Sequence, residues 1–203
     1  MEPFRSFTGV AAALPQANVD TDQIMPKQFL RGVDREGLGA GFLHDMRFAA
    51  PGRPRPEFVL NRAPWDRAGV LVTGPNFGCG SSREHAVWGL RQLGLRCVIG
   101  TGFGGIFADN CARNGVPAIV LPAGEVARLM ALAADPGRCG MTVDLQSQSV
   151  TSHGDGRAVR FEFDPLRRRM LLEGLDAVGL TLGHAEDIRR FEARHLQAQP
   201  WLA

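Results

Sequence analysis

Tyrosine is absent from this 203-residue chain, and Lys27 is its only lysine. The first absence removes every phenolic acid or base. The second leaves arginine as the working cation, a bias of composition rather than a sign of function, and makes Lys27 a position to watch. Cysteines are few and far apart, at 79, 97, 111 and 139. They form no C-x-x-C pair and match neither a zinc site nor an iron–sulfur run, so free thiols in a reducing compartment are expected. No stretch approaches the roughly 20 apolar residues of a membrane span. The opening residues Met1 to Phe7 lack a signal-peptide core, so the expected address is the cytoplasm. Net charge is only +2, which gives no case for nucleic-acid binding. With 44% hydrophobic and 22% charged residues the chain has the balance of a soluble globular protein. Its length suits one domain, residues 1–203, with a proper core.

Glycine, by contrast, is plentiful, and it clusters where the chemistry is densest. An apolar run, Val70-Leu71-Val72, leads into Gly74-Pro75-Asn76-Phe77-Gly78-Cys79-Gly80-Ser81-Ser82-Arg83-Glu84-His85. A helical pattern, Ala86 to Leu93, follows. A strand, a glycine-rich turn and a helix start are joined in a few residues. Glycines allow tight turns that expose backbone N–H groups. A helix start carries free N–H donors and partial positive charge. Arg83 adds a forked cation suited to a carboxylate. The segment reads as an anion site with two hydroxyls beside it. Ser81 and Glu84 also fit the S-x-x-E capping box, which stabilises a helix start without any function. Three glycines, a second serine and an arginine exceed what a cap needs. The turn is not a nucleotide loop: position 83 is arginine where G-x-G-x-x-G needs glycine, and no G-K-[ST] follows. Cys79 has no evident base partner or acidic orienter, so a small residue packed under the turn is expected there.

Along the chain, strand and helix signals alternate. A first strand is expected within residues 4–14. A polar motif loop spans 15–31, with a short helix at 26–30 opened by Pro26. Residues 32–57, rich in glycine, proline and arginine, read as a long ordered excursion. Strands are expected at Gly69–Thr73, Arg96–Ile99 and Ala118–Leu121. Helices are expected at Ser82–Leu95, Ile106–Asn114 and Glu125–Ala134. This spacing implies βαβ units and a parallel core sheet. From Met141 the pattern becomes antiparallel: Thr142–Leu145, Ser149–Ser152 and Ala158–Phe163, the last pair joined through His153-Gly154-Asp155-Gly156. Helices at about 165–174 and 185–196 finish the chain.

The segment Asn76 to His85 resembles the signature of the swivelling domain of the aconitase superfamily. Asn18-Val19-Asp20-Thr21-Asp22-Gln23-Ile24-Met25-Pro26-Lys27-Gln28-Phe29-Leu30 resembles the N-terminal motif of the 3-isopropylmalate dehydratase small-subunit family. Phe161 to Arg168, continued by Gly174 to Leu182, resembles that family's C-terminal region. The resemblance runs nearly end to end. It implies an α/β fold of the β/β/α swivelling type, with a mostly parallel core sheet and an antiparallel C-terminal portion.

The resemblance also implies a chemistry: a hydroxyl moves between adjacent carbons of 2-isopropylmalate through an unsaturated intermediate, in leucine biosynthesis. The Lewis acid of that family is a [4Fe–4S] cluster. This chain has no ligand set for one, so the resemblance places the cluster on an iron–sulfur large subunit, with no cofactor on this chain. Ser81 is then the base, stabilised by glycine-turn N–H groups, the helix start and Arg83. Ser82 and Arg83 bind a substrate carboxylate. Asp22 matches an active-site aspartate, and Thr21 stands beside it. Asp20, Lys27, Gly80, Glu84 and His85 form the supporting layer. Asp20, Thr21 and Asp22 also fit an Asx-turn cluster that merely shapes a loop. Phe29, Leu30 and Val33, with the glycine-rich run 37–41, are candidates for an apolar pocket for the isopropyl group; core anchors are the alternative. At Thr101-Gly102-Phe103-Gly104-Gly105-Ile106-Phe107 the chain departs from the family's Ser-Phe-Ala followed by Asp or Arg. A related branched malate such as citramalate is the alternative substrate, and a purely structural subunit the alternative class.

Overall fold

The computed structural model describes residues 1–30 and 35–202; Val33 lies outside them. Strand β1 (Ser6–Leu14) is followed by a one-turn helix α1 (Thr21–Ile24) and a 3-10 turn at Lys27–Leu30. The excursion then holds a 3-10 turn at Leu38–Ala40, helix α2 (His44–Arg47) and a small hairpin, β2 (Phe48–Ala50) with β3 (Arg53–Pro54). Next come β4 (Val70–Thr73), α3 (His85–Gln92), β5 (Cys97–Gly100), α4 (Gly105–Arg113), β6 (Ala118–Val120) and α5 (Ala123–Ala133). The C-terminal part is β7 (Gly140–Asp144), β8 (Ser149–Ser152), β9 (Ala158–Arg160), α6 (Pro165–Glu173), α7 (Ala177–Leu182) and α8 (Ala185–Ala198).

Seven strands form one sheet in the order β6-β5-β4-β1-β7-β8-β9. β4 and β5 are buried at every residue, as a strand covered on both faces must be. Alternate residues serve two cores. Leu71 and Val98 meet Val87, Leu90, Phe107 and Cys111 from α3 and α4. Val70, Val72, Cys97 and Ile99 meet Val126, Leu129 and Leu132 from α5. β7 and β8 instead alternate buried and half-buried residues, the signature of a sheet with one covered face.

β1 joins the two halves. Its residues Ala11–Leu14 pair in parallel with Val70–Thr73, and its residues Ser6–Val10 pair antiparallel with Gly140–Asp144. The expected parallel units and antiparallel end are therefore both present, and they share one strand. The described part of the excursion, 35–57, is ordered because it carries its own apolar anchors: Leu38, Phe42 and Leu43 are buried in the α3 core.

Several elements differ from expectation: α1, α2 and the β2–β3 hairpin lie where the pattern reads as loop, and α3 and α7 also differ. α3 begins at His85 rather than Ser82, because the turn runs on through Arg83, whose N–H bonds the Ser81 carbonyl at 3.0 Å. It ends at Gln92, three residues short of the expected Leu95, and Gly94 closes it as expected with a left-handed φ of 103° while the Leu95 N–H reaches back to Leu90. α7 was not expected; Asp176 caps it by accepting from the Gly179 N–H at 2.7 Å. Neither α7 nor α8 has a buried residue among those described, so both add helix without adding core. No described helix is long and apolar enough to cross a membrane.

Candidate active site

Two motifs some sixty residues apart meet at the ends of β1 and β4. The Asn18–Thr21 chain runs beside the Pro75–Cys79 chain as an extra ladder. Asn18 N–H bonds the Pro75 carbonyl, Gly78 N–H bonds the Val19 carbonyl, and Thr21 N–H bonds the Cys79 carbonyl, at 2.8–2.9 Å. Asp20 and Cys79 form an isolated parallel bridge. The two glycines flanking Cys79 make this approach possible. Gly78 has a φ of 75°, and a Cβ there would lie 2.3 Å from the Phe107 ring. Gly80 has a φ of 96° and faces Thr21. Only glycine adopts both conformations without strain.

This ladder sets the side chains. Thr21, buried, shares a hydrogen bond with Ser81, Oγ1 to Oγ at 3.3 Å. Arg83 forms an ion pair with Asp22 and also donates to the Met25 carbonyl at 3.4 Å. The Arg83 side chain is mostly covered, while Asp22 is half exposed. Ser81, Ser82 and Asp22 face solvent. The structure thus brings Thr21, Asp22, Gly80, Ser81 and Arg83 into one cluster with an open side. An anchored guanidinium, the solvent-facing hydroxyls of Ser81 and Ser82 and a carboxylate can hold a carboxylate-bearing ligand and exchange a proton with it.

The capping-box reading of Ser81 and Glu84 is not what the chain does. α3 has no side-chain cap, Ser81 points to Thr21, and the Glu84 carboxylate accepts from the Asn114 amide at 2.7 Å. The capping box is instead at Asp20 and Gln23, which bond each other's backbone N–H groups at 2.8 and 3.0 Å. The D-x-x-Q spacing before α1 was the missed signal. Asp20 therefore holds the loop that presents Thr21 and Asp22, a loop-shaping contact of the Asx type.

His85 packs against Trp88 in a tilted arrangement, ring centroids 4.7 Å apart. Lys27 is exposed on the 3-10 turn, with no ion pair among the described residues. Phe29 and Leu30 are half-buried against the α3 core. Phe29 packs on His44 at 5.0 Å, and a Cβ on Gly41 would sit 2.7 Å from its ring. The glycine-rich run therefore closes over Phe29.

The Thr101–Phe107 segment forms the neighbouring wall. Gly104 N–H bonds the Phe77 carbonyl at 2.9 Å, and a Cβ at 104 would lie 2.2 Å from the Gly78 oxygen. The two loops are closer here than alanine allows, which accounts for glycine at that position. Cβ atoms at 102 and 105 would meet nothing within 4 Å; nothing in the structure explains glycine there.

The donor set does not suit a metal cluster. Among the described residues no group of three or more His, Cys, Asp or Glu is placed to hold a metal ion. Burial pushes the Cys97 and Cys111 thiols well up, against the thiolate form that ligation needs.

The ladder, the glycine turn and the parallel-antiparallel sheet define an aconitase-type swivelling domain. The model described as the aconitase C-terminal domain matches residues 1–124. A second, described as LeuD_N, matches residues 127–165. A third, for the C-terminal domain of the 3-isopropylmalate dehydratase small subunit, matches residues 178–203. The chain is 50% identical to the 3-isopropylmalate dehydratase small subunit 1 of Mannheimia succiniciproducens, over all of this chain and 99% of that one. It is 52% identical to the small subunit of Phenylobacterium zucineum, over all of this chain and 98% of that one. The crystal structure of 3-isopropylmalate dehydratase from Methanocaldococcus jannaschii superposes with a TM-score of 0.66 at 26% identity, covering 92% of this chain and 99% of that one. Within the swivelling-domain class, the chain belongs to the 3-isopropylmalate dehydratase small-subunit family.

Proposed function

We propose that this chain is the small subunit of a hydro-lyase that interconverts 2-isopropylmalate and 3-isopropylmalate by dehydration and rehydration, through 2-isopropylmaleate, in leucine biosynthesis. One observation carries the reading. Thr21 and Asp22 are joined to Ser81 and Arg83 in a chain about half identical, from end to end, to small subunits of that enzyme. The relatives' names favour isopropylmalate over citramalate.

The open cluster is half of a site, and the other half comes from a large subunit. We assign the [4Fe–4S] cluster to that partner, where it supplies the Lewis acid for hydroxyl departure, and the complex to the cytoplasm. Arg83, held by Asp22 and the Met25 carbonyl, is pre-set to grip a substrate carboxylate, with Ser82 beside it. Ser81 Oγ exchanges the proton at the carbon next to a carboxylate. The potential that helps it comes from Arg83 and the glycine-turn amides. α3 contributes less than expected, because its first residue lies four positions beyond Ser81. Thr21 Oγ1 orients the Ser81 hydroxyl, and Asp22 sets the guanidinium. Phe29 and Leu30 form one wall toward the isopropyl group while anchoring the loop.

The test is reconstitution with the large subunit, followed by steady-state assays on 2-isopropylmalate, 3-isopropylmalate and citramalate. The reading expects the highest kcat/KM on the isopropylmalates and none for this chain alone. A higher kcat/KM on citramalate, or turnover without the partner, would contradict it.

A further inference from the structure

Asn114 follows α4 and is 8% exposed, yet both donors and the oxygen of its amide are bonded. The amide nitrogen donates to the Glu84 carboxylate at 2.7 Å and to the Asn110 carbonyl at 2.8 Å. Its oxygen accepts from the Trp88 indole at 3.0 Å. The three bonds fix which way the amide points, since exchanging O and N would set donor against donor. The bond to Glu84 is charge-assisted and part-buried, the strong kind.

Glu84, Trp88 and Gln92 recur every four residues, so they share one face of α3. Ala86, Val87 and Leu90 face the core instead. At Trp88 the ring lies 4.1 Å from the Arg35 guanidinium. Gln92 donates to the Arg35 carbonyl and accepts from the Gly39 N–H at 3.2 Å. This face therefore ties the end of α4 to the chain at 35–39.

We propose that Asn114 is a positioning residue for Arg83: it holds Glu84, fixes the turn that presents the guanidinium, and through Trp88 joins that turn to the chain at 35–39. Two facts make this hold necessary. The start of α3 has no side-chain cap, so among the described residues the Asn114–Glu84 bond is the side-chain tie from the end of α4 onto the residue that opens that helix. Glu84 is the residue next to Arg83, and a released carboxylate there competes with the substrate's carboxylate for the same cation. The inference rests on the reading of Arg83 as the substrate grip.

Asn114→Asp in the complex with the large subunit tests it. The new carboxylate opposes Glu84 and releases it. The expected result is a KM for 2-isopropylmalate raised roughly tenfold, with a smaller change in kcat. Glu84→Gln added to Asn114→Asp restores a donor–acceptor pair and should recover most of the KM. A KM within about twofold of wild type for Asn114→Asp, or no recovery in the double variant, overturns the proposal. If Asn114→Asp does not fold, Trp88→Phe carries the test. It removes one N–H bond and keeps the ring, and a KM rise of about threefold is expected; an unchanged KM overturns the proposal. Arg83→Lys, assayed alongside, separates the two readings. An unchanged KM there refutes Arg83 as the grip, whereas a raised KM there with Asn114→Asp unaffected refutes only the positioning role.

Discussion

Replacing Gly78 by alanine tests how the glycine turn is built. The residue has a φ of 75°, and its added Cβ would lie 2.3 Å from Phe107 Cγ and 2.6 Å from Phe107 Cβ. A left-handed backbone costs a non-glycine residue about 1–2 kcal/mol. Forcing a methyl group into a packed core costs about 1–3 kcal/mol more. Phe107 has little room to yield, because it is 2% exposed and its ring lies 5.3 Å from Phe77 and 6.2 Å from Phe103. The combined loss is about 2–5 kcal/mol, a large share of a domain's stability. At roughly 2–4 °C per kcal/mol for a chain of this size, Tm should fall by about 4–20 °C. Urea unfolding followed by circular dichroism provides the equilibrium value, with m unchanged. Gly80→Ala is the internal control. Its φ is 96°, but its nearest neighbour, Thr21 Oγ1, is an ordinary 3.4 Å away. It should lose only the backbone part, about 1–2 kcal/mol. Equal losses at the two positions, or a change below about 2 °C for Gly78→Ala, would refute the packing argument.

Asp22→Asn should shift unfolding free energy by less than about 1 kcal/mol, since one partner of its ion pair is half exposed, yet lower kcat/KM in the complex by about tenfold or more; denaturant titration beside steady-state kinetics reads both. Iodoacetamide near pH 8 should label Cys79 first in the native chain, with Cys97 and Cys111 labelled only on unfolding, because their burial raises both thiols; mass spectrometry of timed samples would contradict this if a buried cysteine reacted as fast as Cys79. Leu30→Ala should raise KM for 2-isopropylmalate more than for a shorter malate, by about 1–3 kcal/mol of discrimination; equal losses on both substrates would make Leu30 a core anchor only.

The legible parts of the fold were those written in local pattern. Gly69–Thr73 and Arg96–Ile99 read as strands of a parallel core sheet, and the strands found there, Val70–Thr73 and Cys97–Gly100, are buried at every residue, since unbroken apolar runs need cover on both faces. Gly94 and Gly115 marked the ends of α3 and α4, where each takes a left-handed φ. Ser81, Arg83, Thr21 and Asp22 were legible as candidates, since they stood in two dense motifs. Their pairing was not, because it depends on a backbone ladder between chains about sixty residues apart. The start of α3 was misplaced for the same reason: Ser81 gives its hydroxyl to Thr21, and Glu84 gives its carboxylate to Asn114. Local spacing showed a cap, and tertiary partners took both side chains. Trp88 and Asn114 carried no signal in their own surroundings.

Turnover by the Ser81→Ala variant, assembled with the large subunit, tests the central claim most directly. Loss of the hydroxyl removes one 3.3 Å bond to Thr21 from an exposed side chain, so assembly and Tm should stay close to wild type. With Ser81 as the proton-transfer group, kcat for 2-isopropylmalate should fall by about 100-fold or more. An assembled variant that keeps near wild-type kcat would contradict the account.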